Sequence, residues 1–348
     1  MSFRMGLSIF TVIFLIVIVY VSRHEIAHAW VLLERVNIWI LLLLIPGQIL
    51  VYYTNGEMIF SYLRSKKSIE DVKGLELTRM SLELNFVNHI LPSGGVSGLS
   101  YMNWRLGQYG VSPSRATMAQ VVKYATGFAA FAALLILAVI LVTIDGQINR
   151  WIILISSTLV GAMVGAIAVG IFLLSSKRRI DRFAIWMHGL VNSVVRKVTF
   201  GRKPELLKQK VIITFFEELH SDFIALDHDK RLLIRPFLWG LLCMGAEALL
   251  FLITFWALGV TVNPAIILIG YGVASMAGFF VATPGGAGAY EAIMVSFLAI
   301  AGVTSGVAIA GIVLTRVILL LGTIIFGYLF YQHALIKYGK RTKPSLHS

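Results

Sequence analysis

The stretch Leu91-Pro92-Ser93-Gly94-Gly95-Val96-Ser97-Gly98, with its counterpart Pro284-Gly285-Gly286-Ala287-Gly288, interrupts otherwise apolar sequence. A proline-glycine cluster at membrane depth leaves backbone N–H and C=O groups without intrahelical partners, and hydrocarbon supplies none. Broken backbone therefore belongs where protein or a wet cavity surrounds it. One such break in each half of a chain points to a transport site.

The remaining sequence makes membrane depth meaningful. Of 348 residues, 58% are hydrophobic and 14% charged, with mean hydropathy +0.83. That excludes an ordinary soluble enzyme and implies an all-α, polytopic membrane helix bundle. Runs long enough to span are Leu7–Val21, Ile38–Tyr53, Val121–Val142, Trp151–Leu174, Leu232–Leu258, Pro264–Ala282 and Ala308–Tyr331. A shorter run, Ala289–Ala301, follows the second cluster. The first run lacks a small-residue cleavage pattern and reads as a retained helix. Leu75–Leu91 is mixed, with Glu76, Arg79, Glu83, Asn85, Asn88 and His89, and reads as a half-helix or cavity-lining helix.

The net charge of +13 is unevenly placed. Lys and Arg crowd 64–79, a central loop at 177–210 and the tail, while 23–35 and 145–150 carry fewer. The positive-inside rule puts both termini and the rich loops in the cytoplasm. Positive charge that flanks spans argues for anionic lipid as partner and against nucleic acid. The lone Cys243 makes neither an intramolecular disulfide nor a cysteine zinc site.

Orientation then constrains both clusters. Everything between Leu75 and Lys123 must begin and end on the cytoplasmic side, so a re-entrant hairpin with its turn at Pro92–Gly98 is expected. Pro264–Ala282 and Ala289–Ala301 form a comparable pair entering from outside, an arrangement that suggests an inverted repeat. The chain reads as one membrane domain: a first half (1–175), a basic loop (176–231), a second half (232–334) and a tail (335–348). In the loop, Ile180, Phe183, Trp186, Met187, Leu190, Val191, Val194, Val195 and Val198 fall at helical spacing. They imply an amphipathic helix, lying on the anionic inner leaflet or packed on the protein's own inner face.

Several residues are candidates for chemistry. His24-Glu25-Ile26-Ala27-His28 matches HExxH, which sets two imidazoles one turn apart beside a carboxylate, as in zinc proteases. It sits at the outer interface without an apolar run around it, and only Asp145 offers a third ligand. An interfacial loop is the plainer reading. The glycine clusters can cradle a phosphate or carboxylate on exposed amides, or simply allow close helix packing. Charges inside apolar sequence are scarce: Arg105, Arg115 and Lys123 follow the first cluster, Glu291 follows the second, and Glu247 and Arg316 lie within long runs. Each needs a partner or a wet cavity. Ion pairs, or anchors at the cytoplasmic boundary, are the structural alternatives.

The two clusters also carry a resemblance. Leu91–Gly98, then Arg105 and Tyr109–Ala116, resembles the first signature of the flippase-like family named for the transmembrane region of lysylphosphatidylglycerol synthase. Thr283–Glu291, then Gly302-Val303 and Leu314-Thr315-Arg316, is similar to the second. The chain departs from the pattern at Ser97-Gly98, where many members have an acidic residue, and at Lys123-Tyr124, where many have a Glu-Arg pair. The resemblance implies a bacterial cytoplasmic membrane protein that moves lipids with charged head groups, or polyprenyl-linked ones. No cofactor, no aminoacyl-transfer domain and no enzymatic activity are expected. The combined reading is a flippase for an amphiphile with a phosphate-bearing head group. Its binding set is Asn85, Asn88, His89, Pro92, Gly94, Gly95, Gly98, Arg105, Lys123, Glu247, Pro284, Gly285, Gly286, Gly288, Glu291 and Arg316. A zinc protease built on His24, Glu25 and His28, or a non-transporting scaffold, are the alternatives.

Overall fold

A computed structural model describes residues 36–70, 72–90, 96–144, 150–198, 209–280 and 288–338. The run Leu7–Val21, the HEIAH motif (His24, Glu25, His28), Asp145, and Pro92, Gly94, Gly95, Pro284, Gly285 and Gly286 lie outside the described residues.

Among the described residues the fold is all-helical. In chain order the helices are α1 (Ile38–Leu41), α2 (Leu44–Ser65), α3 (Gly74–Ile90), α4 (Val96–Gly107), α5 (Pro113–Ile144), α6 (Arg150–Leu174), α7 (Lys177–Val198), α8 (Gln209–His228), α9 (Ile234–Ala257), α10 (Pro264–Phe280), α11 (Ala289–Ile300) and α12 (Ser305–Tyr338). Local sequence sets several starts. Asn37 caps α1 by accepting from the Trp39 N–H (3.1 Å). Asn263 accepts from the Ala265 N–H (2.9 Å) at the start of α10. Pro113 and Pro264 occupy first-turn positions where the missing N–H costs nothing.

Five described helical stretches are long and apolar enough to cross a membrane: Ile38–Ser65, Pro113–Ile144, Arg150–Leu174, Lys230–Ala257 and Ser305–Tyr338. Their outward faces are apolar; Ile136, Leu137, Ile140, Leu154, Val169 and Phe172 are among the exposed side chains. One boundary differs from the sequence reading. The run starting at Ile38 does not stop at Tyr53, because Thr54, Glu57 and Ser61 turn inward and are buried. Of the run at Pro264, the structure describes helix over Pro264–Phe280, 17 residues.

α2, α5 and α9 pack together at the centre. α3 and α4, which flank the first glycine cluster, pack on each other, and α3 also packs on α2 and α12. α10 and α11, which flank the second cluster, likewise pack on each other. One apolar core joins the ends of α2 and α3 to α4, the start of α5, α7 and α8. Another joins the later part of α5 to α6, α9, α10, α11 and the start of α12. The basic loop is helical as expected. Ile180 and Ala184 of α7 are buried, and the Phe183 ring meets Phe216 of α8 edge-on at 5.6 Å. The side chains of Val191, Val194, Val195 and Val198 lie outside the described residues.

The contact between α3 and α12 depends on Gly327. A Cβ there would lie 2.5 Å from the Phe86 Cβ, and Phe86 is itself held between Tyr328 and Tyr331. Gly327→Leu should therefore lower stability by about 1–3 kcal/mol through overpacking. The midpoint of thermal unfolding in detergent checks this; an unchanged midpoint would contradict the packing.

Candidate functional site

Three polar clusters sit inside the bundle. The first lies where α2, α5 and α9 meet. Lys123 of α5 donates from Nζ to Asn55 Oδ1 (2.7 Å). Asn55 also contacts the Cys243 sulfur of α9 at 3.9 Å. Glu247 follows Cys243 by one helical turn, which puts it on the same face of α9. It stands within electrostatic reach of Lys123. A second polar set adjoins it: Gln48 donates to Tyr52 Oη (2.6 Å) and to the Leu319 carbonyl (2.8 Å), and Tyr52 bonds Thr323. Lys123 and Glu247 each lie about 15 Å along the axis from the nearer end of their helix. An isolated charge at such depth costs about 2.5–3.5 kcal/mol. Two opposite charges within electrostatic reach of each other, both half-buried, lower that cost.

The second cluster stands at the start of α11. Gly288 has φ 85°, a backbone that a side chain would strain. Its N–H donates to Glu291 Oε2 (2.7 Å). The other Glu291 oxygen accepts from Arg316 Nε of α12 (2.8 Å). The Arg316 guanidinium also lies 4.2 Å from the centre of the Tyr290 ring. Glu291 thus serves both a helix N-terminus and an ion pair. Glu247 lies within electrostatic reach of Tyr290, on the side of the first cluster.

The tip of α3 completes this region. His89 Nδ1 donates to the Asn85 carbonyl (2.8 Å), and Arg316 acts on His89 electrostatically. Asn85 donates to the Ser81 carbonyl (2.9 Å). Asn88 lies directly over Gly98 of α4, where a Cβ would come within 2.0 Å of Asn88 Oδ1. That oxygen is buried and has no hydrogen-bond partner among the described residues.

Arg105 stands apart from these groups. It is 2% exposed. Its Nε donates to Glu83 Oε2 (2.9 Å) and its Nη2 to Glu76 Oε1 (2.6 Å). Tyr101 also donates to Glu83 (2.8 Å) and Tyr109 to Glu76 (3.0 Å). The Tyr338 ring, in the last turn of α12, covers the guanidinium at 4.3 Å. Arg79 adds a second cation 3.9 Å from Glu76. The Arg105 Nη1 is buried and has no hydrogen-bond partner among the described residues. In this geometry Arg105 clamps α4 and the end of α12 to α3. Glu83→Gln keeps an acceptor for Tyr101 but removes the charge that offsets buried Arg105. It should cost about 3 kcal/mol, read as a lowered unfolding midpoint, and an unchanged midpoint would remove the clamp.

The structure thus brings Lys123, Glu247, Glu291, Arg316 and His89 into one polar region, with Asn85, Asn88, Gly98 and Gly288 at its edge. Asn55, Tyr52 and Tyr290 belong there too and were not singled out from sequence. Only their position one turn from a charged neighbour's contact marks them. Among the described residues, no three His, Cys, Asp or Glu side chains gather as a metal site.

These features have relatives. The sequence pattern of the lysylphosphatidylglycerol synthase TM region matches residues 5–327. The chain belongs to this family. A UPF0104 membrane protein of Methanothermobacter thermautotrophicus is 26% identical over 255 residues, covering 71% of this chain and 72% of its own. Membership places the glycine clusters, Arg105, Glu291 and Arg316 within a multi-pass membrane protein of the lysylphosphatidylglycerol synthase TM region family.

Proposed function

We propose that the protein carries an amphiphile with a phosphate-bearing head group, a phospholipid or a polyprenyl phosphate, across the cytoplasmic membrane. The observation that carries this reading is a pair of opposite charges within electrostatic reach at mid-depth, Lys123 and Glu247, with the Glu291–Arg316 ion pair beside Tyr290 near them. Charges this deep need protein or water around them, and helices from both halves of the chain supply these. The head group passes through the polar region while the tails stay in lipid. Lys123 holds the phosphate, and amides of the glycine turns assist. The Glu291–Arg316 pair opens and closes as helices α10 and α11 move against α12. α3–α4 and α10–α11 act as re-entrant hairpins entering from opposite sides. No covalent step is needed.

The basic ends and the α7–α8 layer face the cytoplasm in this reading. Trp186, Ile185 and Leu190 on the exposed face of α7 dip into an anionic leaflet beside Arg178 and Arg182.

Reconstitution into vesicles with a panel of fluorescent lipids tests the proposal. Faster leaflet exchange of at least one phosphate-bearing lipid than in protein-free vesicles is expected. Folded protein that accelerates none of them would end the proposal.

A further inference from the structure

Glu247 has a property that holding a head group does not require. Among the described residues no hydrogen bond or ion pair engages its carboxyl group. Glu83 and Glu291, by contrast, are each bonded to an arginine. Lys123 is within its electrostatic reach but donates its hydrogen bond to Asn55 (2.7 Å). The groups facing Glu247 come from several helices: Tyr52 from α2, Lys123 from α5, Tyr290 from α11 and Cys243 from its own α9. Arg316 of α12 stands one layer further, across the Tyr290 ring. α10 and α1, which also pack on α9, present no charged side chain to it.

The charge balance of this set depends on one proton. With Glu247 ionised, Lys123 is neutralised and the pair offers little to an anion. With Glu247 protonated, the ammonium is unopposed and attracts phosphate. Binding of proton and phosphate then strengthen each other, and the coupling is reciprocal.

We infer that Glu247 takes up one proton with each phosphate head group that Lys123 holds, so that a proton gradient drives the lipid across. This rests on the transport reading above. The carboxylate gains a proton from water on the side where the head group enters and becomes a neutral acid. It returns the proton to water on the side where the head group leaves. One negative charge and one proton cross together, so no net charge moves.

The test uses the full chain in phosphatidylcholine vesicles with a trace of fluorescent phosphatidylglycerol. The diester phosphate of that probe has no proton to exchange near neutral pH. The membrane potential is clamped with potassium and valinomycin, and a pH step is imposed. One proton per head group shifts the leaflet distribution about tenfold per pH unit. The wild-type protein should show this shift and Glu247→Asp should keep it, while Glu247→Gln loses it. A wild-type distribution that ignores the pH step while the probe still exchanges overturns the proton inference and leaves the transport reading standing. A Glu247→Gln protein that keeps the tenfold shift also overturns it. Absence of exchange for this and every other phosphate lipid overturns the reading and the inference together. The wild-type result decides the matter even where Glu247→Gln fails to fold.

Discussion

Lys123→Met should reduce translocation of phosphate-bearing lipid by tenfold to a hundredfold. The substitution keeps the length of the stem and removes the cation of the α2–α5–α9 cluster. A hydrogen bond to a charged group is worth about 1.5–3 kcal/mol, which corresponds to that range of rates. The fold should survive, because Met suits the apolar surroundings of α5 and Glu247, left without a neighbouring cation, can take a proton and become a neutral acid. Asn55→Ala is the graded comparison. It leaves the ammonium in place but removes its 2.7 Å bond, so transport should fall by less than in Lys123→Met. The initial rate of leaflet exchange checks both. A Lys123→Met rate within twofold of wild type would remove Lys123 from the path.

The second large effect concerns stability. Arg316→Gln takes the guanidinium partner from Glu291 and leaves its bond from the Gly288 N–H. The pair is only partly exposed, 23% for Arg316 and 13% for Glu291. Breaking a fully buried pair costs about 3–5 kcal/mol; with this exposure about 2 kcal/mol is expected after solvent screening. The double variant Arg316→Gln with Glu291→Gln should be more stable than Arg316→Gln alone, since no lone charge remains. Gln at 291 still accepts from Gly288. Thermal unfolding in detergent measures the four members of this cycle. Strict additivity of the two substitutions would mean that the pair contributes no coupling.

Much of the frame was legible because lipid tolerates few exceptions. Apolar runs with basic flanks mark spans, and the runs at Val121, Trp151, Leu232 and Ala308 all fall inside helices that can cross. Glu291 and Arg316 were legible as partners because each is a rare charge in apolar sequence. Arg105 was legible as important and less so in its role. Glu76 and Glu83 stand seven residues apart on α3, two turns along one face, and only the packing of α4 on α3 brings Arg105 to both. The junction of Lys123 and Glu247 was harder still. They lie in different halves of the chain, and their meeting depends on α2, α5 and α9 converging around small residues such as Gly240, where a Cβ would sit 3.0 Å from Ala130.

The central claim is that buried charge at mid-depth selects a phosphate head group for passage. The most direct measurement compares two fluorescent lipids with identical tails in the same proteoliposomes, phosphatidylglycerol and the phosphate-free diacylglycerol-linked sugar. The account predicts that wild-type protein accelerates exchange of the phosphate lipid at least about tenfold more than that of the sugar lipid, a difference of about 1.4 kcal/mol, and that Lys123→Met erases the difference. Equal acceleration of both lipids, unchanged by Lys123→Met, would contradict it.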